Sequence, residues 1–219
     1  ELIQFAVSKY KASGAISFIV RVDDNLPDLL RLFVAKCGFS QISYERLWKI
    51  PVPEKGAKAV ERVSLSGARV DQPGEFRNSD SATVSSLYNE SLLPHFRPLL
   101  SSDAREFKET IFKGLSYFSE YKFVIEDKKS KNISGYISIK TSDNENYILD
   151  IIQSSWVEID INAVIGFGVS QIRKRQKNFN LFIKTKKYTQ LGEKYEQLFM
   201  EHRFECVQNQ IVLTNSSAT

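Results

Sequence analysis

The sequence predicts a mixed α/β (α+β) protein: a central, mostly antiparallel sheet flanked by helices, with part of the pattern repeated at the N-terminus. Three observations predict it. β-Branched and aromatic runs at 121–126, 133–140 and 147–153 are separated by the polar turns Asp127–Asn132 and Thr141–Asn146, as in an antiparallel meander. Apolar residues recur at helical spacing before and after that meander. The order helix, strand, helix, strand occurs at 1–50 and again at 158–215.

Glu1–Lys11 reads as a helix with Leu2, Phe5, Ala6 and Tyr10 on one apolar face, stopped by Ser13-Gly14. Ile16–Val22 is a strand. Asp23, Asp24 and Asn25 supply a cap for the next helix, and Pro27 sits in its first turn, where a missing N–H costs nothing. Its stripe is Leu29, Leu30, Phe33 and Val34, and Gly38 ends it. Phe39–Ile50 reads as a bent strand whose apolar groups are Ile42, Tyr44, Leu47 and Trp48. Pro51-Val52-Pro53 breaks the pattern, and 51–75 is expected to be a linker or loop before a second unit at 76–219.

In that unit Ser79-Asp80-Ser81 caps a helix carrying Val84, Leu87 and Tyr88, and Pro94 and Pro98 bracket a turn. Ala104–Phe118 reads as an amphipathic helix with Phe107, Ile111, Leu115 and Phe118 aligned. After the meander come a helix at about 158–177, a strand at 180–186, a helix at about 191–202 and a last strand near 207–214. Ser17-Phe18-Ile19-Val20 matches Asn180-Leu181-Phe182-Ile183 in kind. Leu32-Phe33 before Gly38-Phe39 matches Leu198-Phe199 before Arg203-Phe204, with a one-residue length difference. A duplicated unit whose first copy shows only its C-terminal part, 1–50, is the simplest account.

Composition narrows the function classes. No run approaches the roughly 18 apolar residues of a membrane-spanning helix, so no membrane is implied. Cys37 and Cys206 alone give neither a disulfide framework nor a zinc site, and cytoplasm is the expected compartment. The chain opens on Glu1 rather than Met, which reads as a natural N-terminus lying further upstream. From Arg173 to Lys187 there are seven basic residues and no acid. Such a stretch suits a phosphate-bearing ligand, a nucleic acid or an acidic partner, or is simply a solvated helix end running into an edge strand.

The element order over 76–215, with Leu87-Tyr88-Asn89-Glu90 followed by Leu93-Pro94-His95-Phe96-Arg97-Pro98, resembles the GNAT (GCN5-related N-acetyltransferase) fold of tandem type. The resemblance implies an acetyl-CoA site in a splay between two central strands, with the pyrophosphate on the backbone N–H groups that open the next helix. The family pattern there is Gln or Arg, two residues, Gly, one residue, then Gly or Ala. Mapped onto this chain, the cofactor loop is Gln153, Ser154, Ser155 and Trp156, and it departs from the pattern. Trp156 and Glu158 replace the small residues, and no glycine lies between Tyr136 and Ile165. Gly166 and Gly168 come too late. The family's proton-donating Tyr falls at Phe199, which has no hydroxyl; Tyr195 and Tyr188 are neighbours, and at helical spacing Tyr195 reads as a packing residue.

No catalytic residue and no metal ligand is assigned. His95 and His202 read as structural, and Asp150, the most interesting carboxylate of the meander, as solvent-facing. The leading reading is a non-catalytic or atypical GNAT-like structural or binding module with no certain cofactor. Its expected partners are the other copy in the same chain, another protein, or a further copy in a homo-oligomer. The alternative is an acetyl-CoA-dependent N-acetyltransferase whose working cofactor loop belongs to the first copy. Nucleic-acid binding through Arg173–Lys187, extended by Lys122, Lys128 and Lys129, ranks last.

Overall fold

The computed structural model describes residues 1–15, 17–52, 73–109, 119–127, 132–157 and 159–216. Its strands are β1 (Ser17–Asp23), β2 (Ser40–Ile50), β3 (Gly74–Glu75), β4 (Ser119–Glu126), β5 (Ile133–Thr141), β6 (Asn146–Gln153), β7 (Asn180–Lys186) and β8 (Glu205–Ser216). They form one eight-stranded sheet in the order β1-β8-β2-β7-β6-β5-β4-β3. Every neighbouring pair is antiparallel except β6 and β7, which run parallel. The helices are α1 (Leu2–Ala12), α2 (Pro27–Arg31), α3 (Ser81–Ser91), α4 (Arg97–Leu100), α5 (Ala104–Phe107), α6 (Ile161–Arg173) and α7 (Gly192–Glu201).

β2 lies between β7 and β8, and β8 lies between β1 and β2, so the N-terminal and C-terminal segments interleave. The register of this four-stranded block repeats under exchange of β1–β2 with β7–β8. Glu45 faces Gln210 at the centre. Outward from it, Tyr44↔Ile211 matches Arg46↔Asn209, Ser43↔Val212 matches Leu47↔Gln208, and Gln41↔Leu213 matches Trp48↔Cys206. The two irregularities, at Gln41/Ser43 and Leu47/Trp48, are themselves equivalent: the extra residue is Ile42 of β2 in the first and Val207 of β8 in the second. In the outer pairs, Phe18↔Asn215 matches Leu181↔Ile50, and Arg21↔Val212 matches Lys184↔Leu47.

Helix ends obey the same correspondence. Gly38 and Arg203, each after the second helix of its unit, both adopt positive φ (70° and 57°). The next N–H then reaches back into the helix, Phe39 to the Phe33 carbonyl and Phe204 to that of Phe199. The one-residue length difference is taken up by a π-helical turn, Leu32–Lys36, that continues α2.

Three apolar clusters hold the layers. One joins α6 and α7 to the sheet through Val164, Val169, Ile172 and Phe199 on Ile137, Leu149, Ile183 and Trp48. A second joins α3 and α4 to the sheet through Val84, Leu87, Tyr88 and Leu100 on Val124, Tyr136 and Ile152. The third is smaller: Val22, Phe39 and Leu213, with Ile3, Val7, Leu30 and Phe33 against them.

Several expectations need correction. The face foreseen for the first helix is turned outward: Leu2, Phe5 and Tyr10 are 80%, 64% and 58% exposed. Ile3 and Val7, a second apolar stripe, take the contact with the sheet. In α2 and the π-helical turn that continues it, Leu30 and Phe33 pack while Leu29 and Val34 are exposed. The described helix at Ala104 ends at Phe107, with Lys108 extended; Ile111, Leu115 and Phe118 lie outside the described residues. α6 starts at Ile161 rather than near 158, because the Asp160 side chain caps it by accepting from the Asn162 N–H. Within the expected linker, 53–72 lies outside the described residues, and Gly74–Glu75 already pairs with β4.

Candidate functional site: a bridged cleft and a buried glutamate

The β6–β7 ladder pairs only Asn146–Leu149 with Asn180–Ile183. Beyond it, Ile151–Gln153 of β6 and Lys184–Lys186 of β7 line a narrow cleft of about 30 Å³, together with Tyr88, Gln190 and Tyr195. Parallel strands that part at their C-terminal ends are a usual place for a ligand. Here side chains cross the gap. Lys186 Nζ lies 2.8 and 2.7 Å from the two Asp150 oxygens. The Tyr195 hydroxyl donates to Gln153 Oε1, and Gln153 Nε2 donates to the Val157 carbonyl at 3.3 Å. The loop after β7 is tied to the end of α3: Leu93 N–H donates to the Tyr188 carbonyl, and Gln190 N–H to that of Ser91.

The loop from β6 to α6 does not fit the acetyl-CoA that the fold implies. A pyrophosphate needs free N–H donors at the helix start and room to reach them. Asp160 already places a carboxylate there, on the Asn162 N–H. The Ser154 N–H is spent on the Ser134 carbonyl, and its hydroxyl is buried with no hydrogen-bond partner among the described residues. Ser155 and Trp156 form an exposed turn, with Trp156 75% exposed. Of the predicted residues, Gln153 ends β6 and lines the cleft, and Ser154 to Trp156 lead into the turn that follows. Gly166 and Gly168 lie inside α6.

Sequence reasoning missed a buried carboxylate held by three donors. Glu45, 1% exposed, stands at the centre of the β2–β8 register. It accepts from Arg21 Nε (2.6 Å), Lys184 Nζ (3.0 Å) and the Tyr188 hydroxyl (2.6 Å). Arg21 and Lys184 occupy equivalent places on β1 and β7, so two corresponding cations meet one central carboxylate. Burial opposes its ionisation, but Lys184, Arg21 and Lys186 outweigh burial and hold its pKa down at about 2. Burial drives the Tyr188 hydroxyl well up, with Glu45 adding to the effect. On the other face Trp48 Nε1 donates to Thr185 Oγ1, which donates to Glu196, itself paired with Arg46 at 2.9 Å. A signal existed: Ser43 and Glu45 stand at alternate positions of β2, polar residues where a buried face requires partners.

Other candidates resolve as follows. Asp150, expected to face solvent, is partly buried against Lys186; the two faces of β6 are both covered, so alternation did not mark the outer one. Tyr195 stacks on Phe199 and also bonds Gln153, so it packs and bridges at once. The basic stretch divides between the two ends of β7. At the far end Lys184, Lys186 and Lys187 pair with Glu45, Asp150 and Glu193. Lys122 is engaged by the Phe107 carbonyl and Glu120, while Lys128 and Lys129 lie outside the described residues. His202 stands at the C-terminal cap of α7, on the Leu198 carbonyl, and His95 lies against Phe96. No cluster of potential metal ligands occurs among the described residues, and none of their helices is long and apolar enough to cross a membrane.

No family model and no curated protein matches the chain. Solved structures do. A tandem GNAT protein from the clavulanic acid biosynthesis pathway aligns over 99% of this chain and 69% of its own, with TM-score 0.56 and 11% identity. A GCN5-related N-acetyltransferase from Sphaerobacter thermophilus aligns over 91% of this chain and 59% of its own (TM-score 0.51, 9% identity). One from Anabaena variabilis aligns over 98% of this chain and 49% of its own (TM-score 0.51, 17% identity). The chain therefore spans between about half and three fifths of the last two. The likeness establishes the fold: this is the architecture of the GCN5-related N-acetyltransferases, as the resemblance in sequence order implied.

Proposed function

We propose that residues 76–219 form a GNAT-fold module that has given up ordinary acetyl-CoA chemistry and serves as a structural or binding unit, and that residues 1–50 are the C-terminal part of a first copy. The observation that carries this reading is the bridged cleft. Lys186–Asp150 and Tyr195–Gln153 span the space that a cofactor would thread, and the Asp160 carboxylate holds the helix start where its phosphates would rest. Its partners are the first copy, another protein or a further copy of the chain. Calorimetric titration with acetyl-CoA and coenzyme A, paired with thermal unfolding, tests it. No heat and no shift are expected. A ligand at about 100 times its dissociation constant would stabilise by roughly 2.7 kcal/mol, and such a rise with one-to-one stoichiometry would sink the reading.

A second reading keeps acetyl-CoA-dependent N-acetyl transfer but moves it to the first copy. The equivalence of β1 with β7 favours it, because α1 then stands where α6 stands and the matching cofactor loop precedes Leu2. Acetyl transfer by the longer polypeptide but not by residues 1–219 distinguishes the two readings.

A further inference from the structure

The paired register leaves one feature unmatched. β7 pairs with β6 along Asn180–Ile183, whereas its counterpart β1 is the edge of the sheet, with no strand beyond it among the described residues. The preceding helices correspond as well. Phe5-Ala6-Val7-Ser8-Lys9-Tyr10 of α1 reads against Phe167-Gly168-Val169-Ser170-Gln171-Ile172 of α6, which sets Leu2 on Val164. In α6 these positions work: Val164 and Ile172 are buried, and Phe167 packs edge-on against Phe123 of β4 with ring centroids 5.0 Å apart. In α1 the counterparts Leu2, Phe5 and Tyr10 face solvent. Val7 is the exception that fixes the alignment, since it and Val169 both pack inward.

A continuous apolar stripe beside an unpaired strand edge is the form a missing neighbour leaves. We propose that the α1 stripe and the free edge of β1 are the docking surface for a β-meander like β4–β6, carried on the same polypeptide ahead of Glu1, whose last strand adds in parallel along Ser17–Val20. A second copy of residues 1–219 is a poor occupant. Its own β6 is already paired with β7 and β5, leaving no strand of that kind free. Connection order points the same way: β6 leads into α6 and then β7, so the strand that matches β6 should lead into α1 and then β1. This inference rests on the two-copy reading, and the test separates the two.

Phe5→Glu and Phe167→Glu are compared in residues 1–219 and in the product of the whole reading frame, by thermal unfolding and sedimentation. Phe167→Glu is expected to lower both midpoints by roughly 5 °C or more. Its failure to do so breaks the correspondence of α1 with α6, and the two-copy reading with it. Phe5→Glu is expected to leave residues 1–219 within about 2 °C and to lower the longer protein as Phe167→Glu does. Equal small effects in both proteins overturn the docking surface while the correspondence survives. A dimer of residues 1–219 that Phe5→Glu makes monomeric overturns it in favour of a second copy, and a reading frame with no meander ahead of Glu1 overturns it outright.

Discussion

The two flanks of the central strand pair share one register under different conditions. On the β7 side, α6 lies over a meander and buries its apolar stripe; on the β1 side, α1 shows the same stripe to solvent. The backbone is nonetheless paired equivalently on both sides, down to the two bulges between β2 and β8. Strand pairing therefore needs only the neighbouring strand, while helix burial needs a whole layer beneath it. The difference also locates where the interleaved segments are held together: at the centre, on Glu45, where cations from both flanks converge.

Removing that charge gives the largest expected effect. Glu45→Gln keeps the shape but leaves Arg21 and Lys184 without a counter-charge beside the fully buried Tyr188 hydroxyl. Breaking a buried ion cluster from one side costs about 3 kcal/mol or more, and urea unfolding should show it. The comparison pair is Lys187–Glu193, whose glutamate is 73% exposed; Lys187→Ala should change stability by under about 1 kcal/mol. Equal losses from the two substitutions would show that the central glutamate is an ordinary pair.

Protonation makes the same comparison without mutation. The Glu45 pKa in the folded protein, about 2, lies below the usual carboxylate value of 4.5. A depressed pKa means its contribution is fully present above pH 4.5 and is lost as pH falls toward 2. The loss across that window is on the order of 3 kcal/mol. Urea midpoints measured from pH 5 down to 2.5 should fall more steeply in the native protein than in Glu45→Gln. Parallel curves would place the acid sensitivity elsewhere.

Much of this was legible in the sequence, and the exceptions share a cause. Strands β4 to β7 followed from alternation and turn residues, and the repeated order at 1–50 and 158–215 from pattern alone. The wrong face of α1 arose because Leu2, Phe5 and Tyr10 form as good a stripe as Ile3 and Val7, and periodicity does not say which stripe has a layer to lie on. Asp150 misled because β6 is covered on both faces, and Glu45 because its partners lie 24 and 139 residues away. The degenerate loop at Gln153–Trp156 was readable as a departure from a pattern. What bridges the cleft there was not, since Lys186 and Tyr195 reach it from other elements.

The smallest expected effect tests the equivalence at its finest point. Gly38 and Arg203 hold the same left-handed turn after α2 and α7, yet only one is glycine. A side chain in that conformation costs about 1 kcal/mol relative to glycine, so Arg203→Gly should stabilise by that order despite the greater freedom of the unfolded chain. Gly38→Ala should destabilise by a similar amount, with its new methyl also 3.4 Å from the Asn215 amide. Opposite signs of comparable size are what two copies of one turn require. If Arg203→Gly is instead destabilising, the arginine side chain is doing something its counterpart does not, and the two turns match in backbone only.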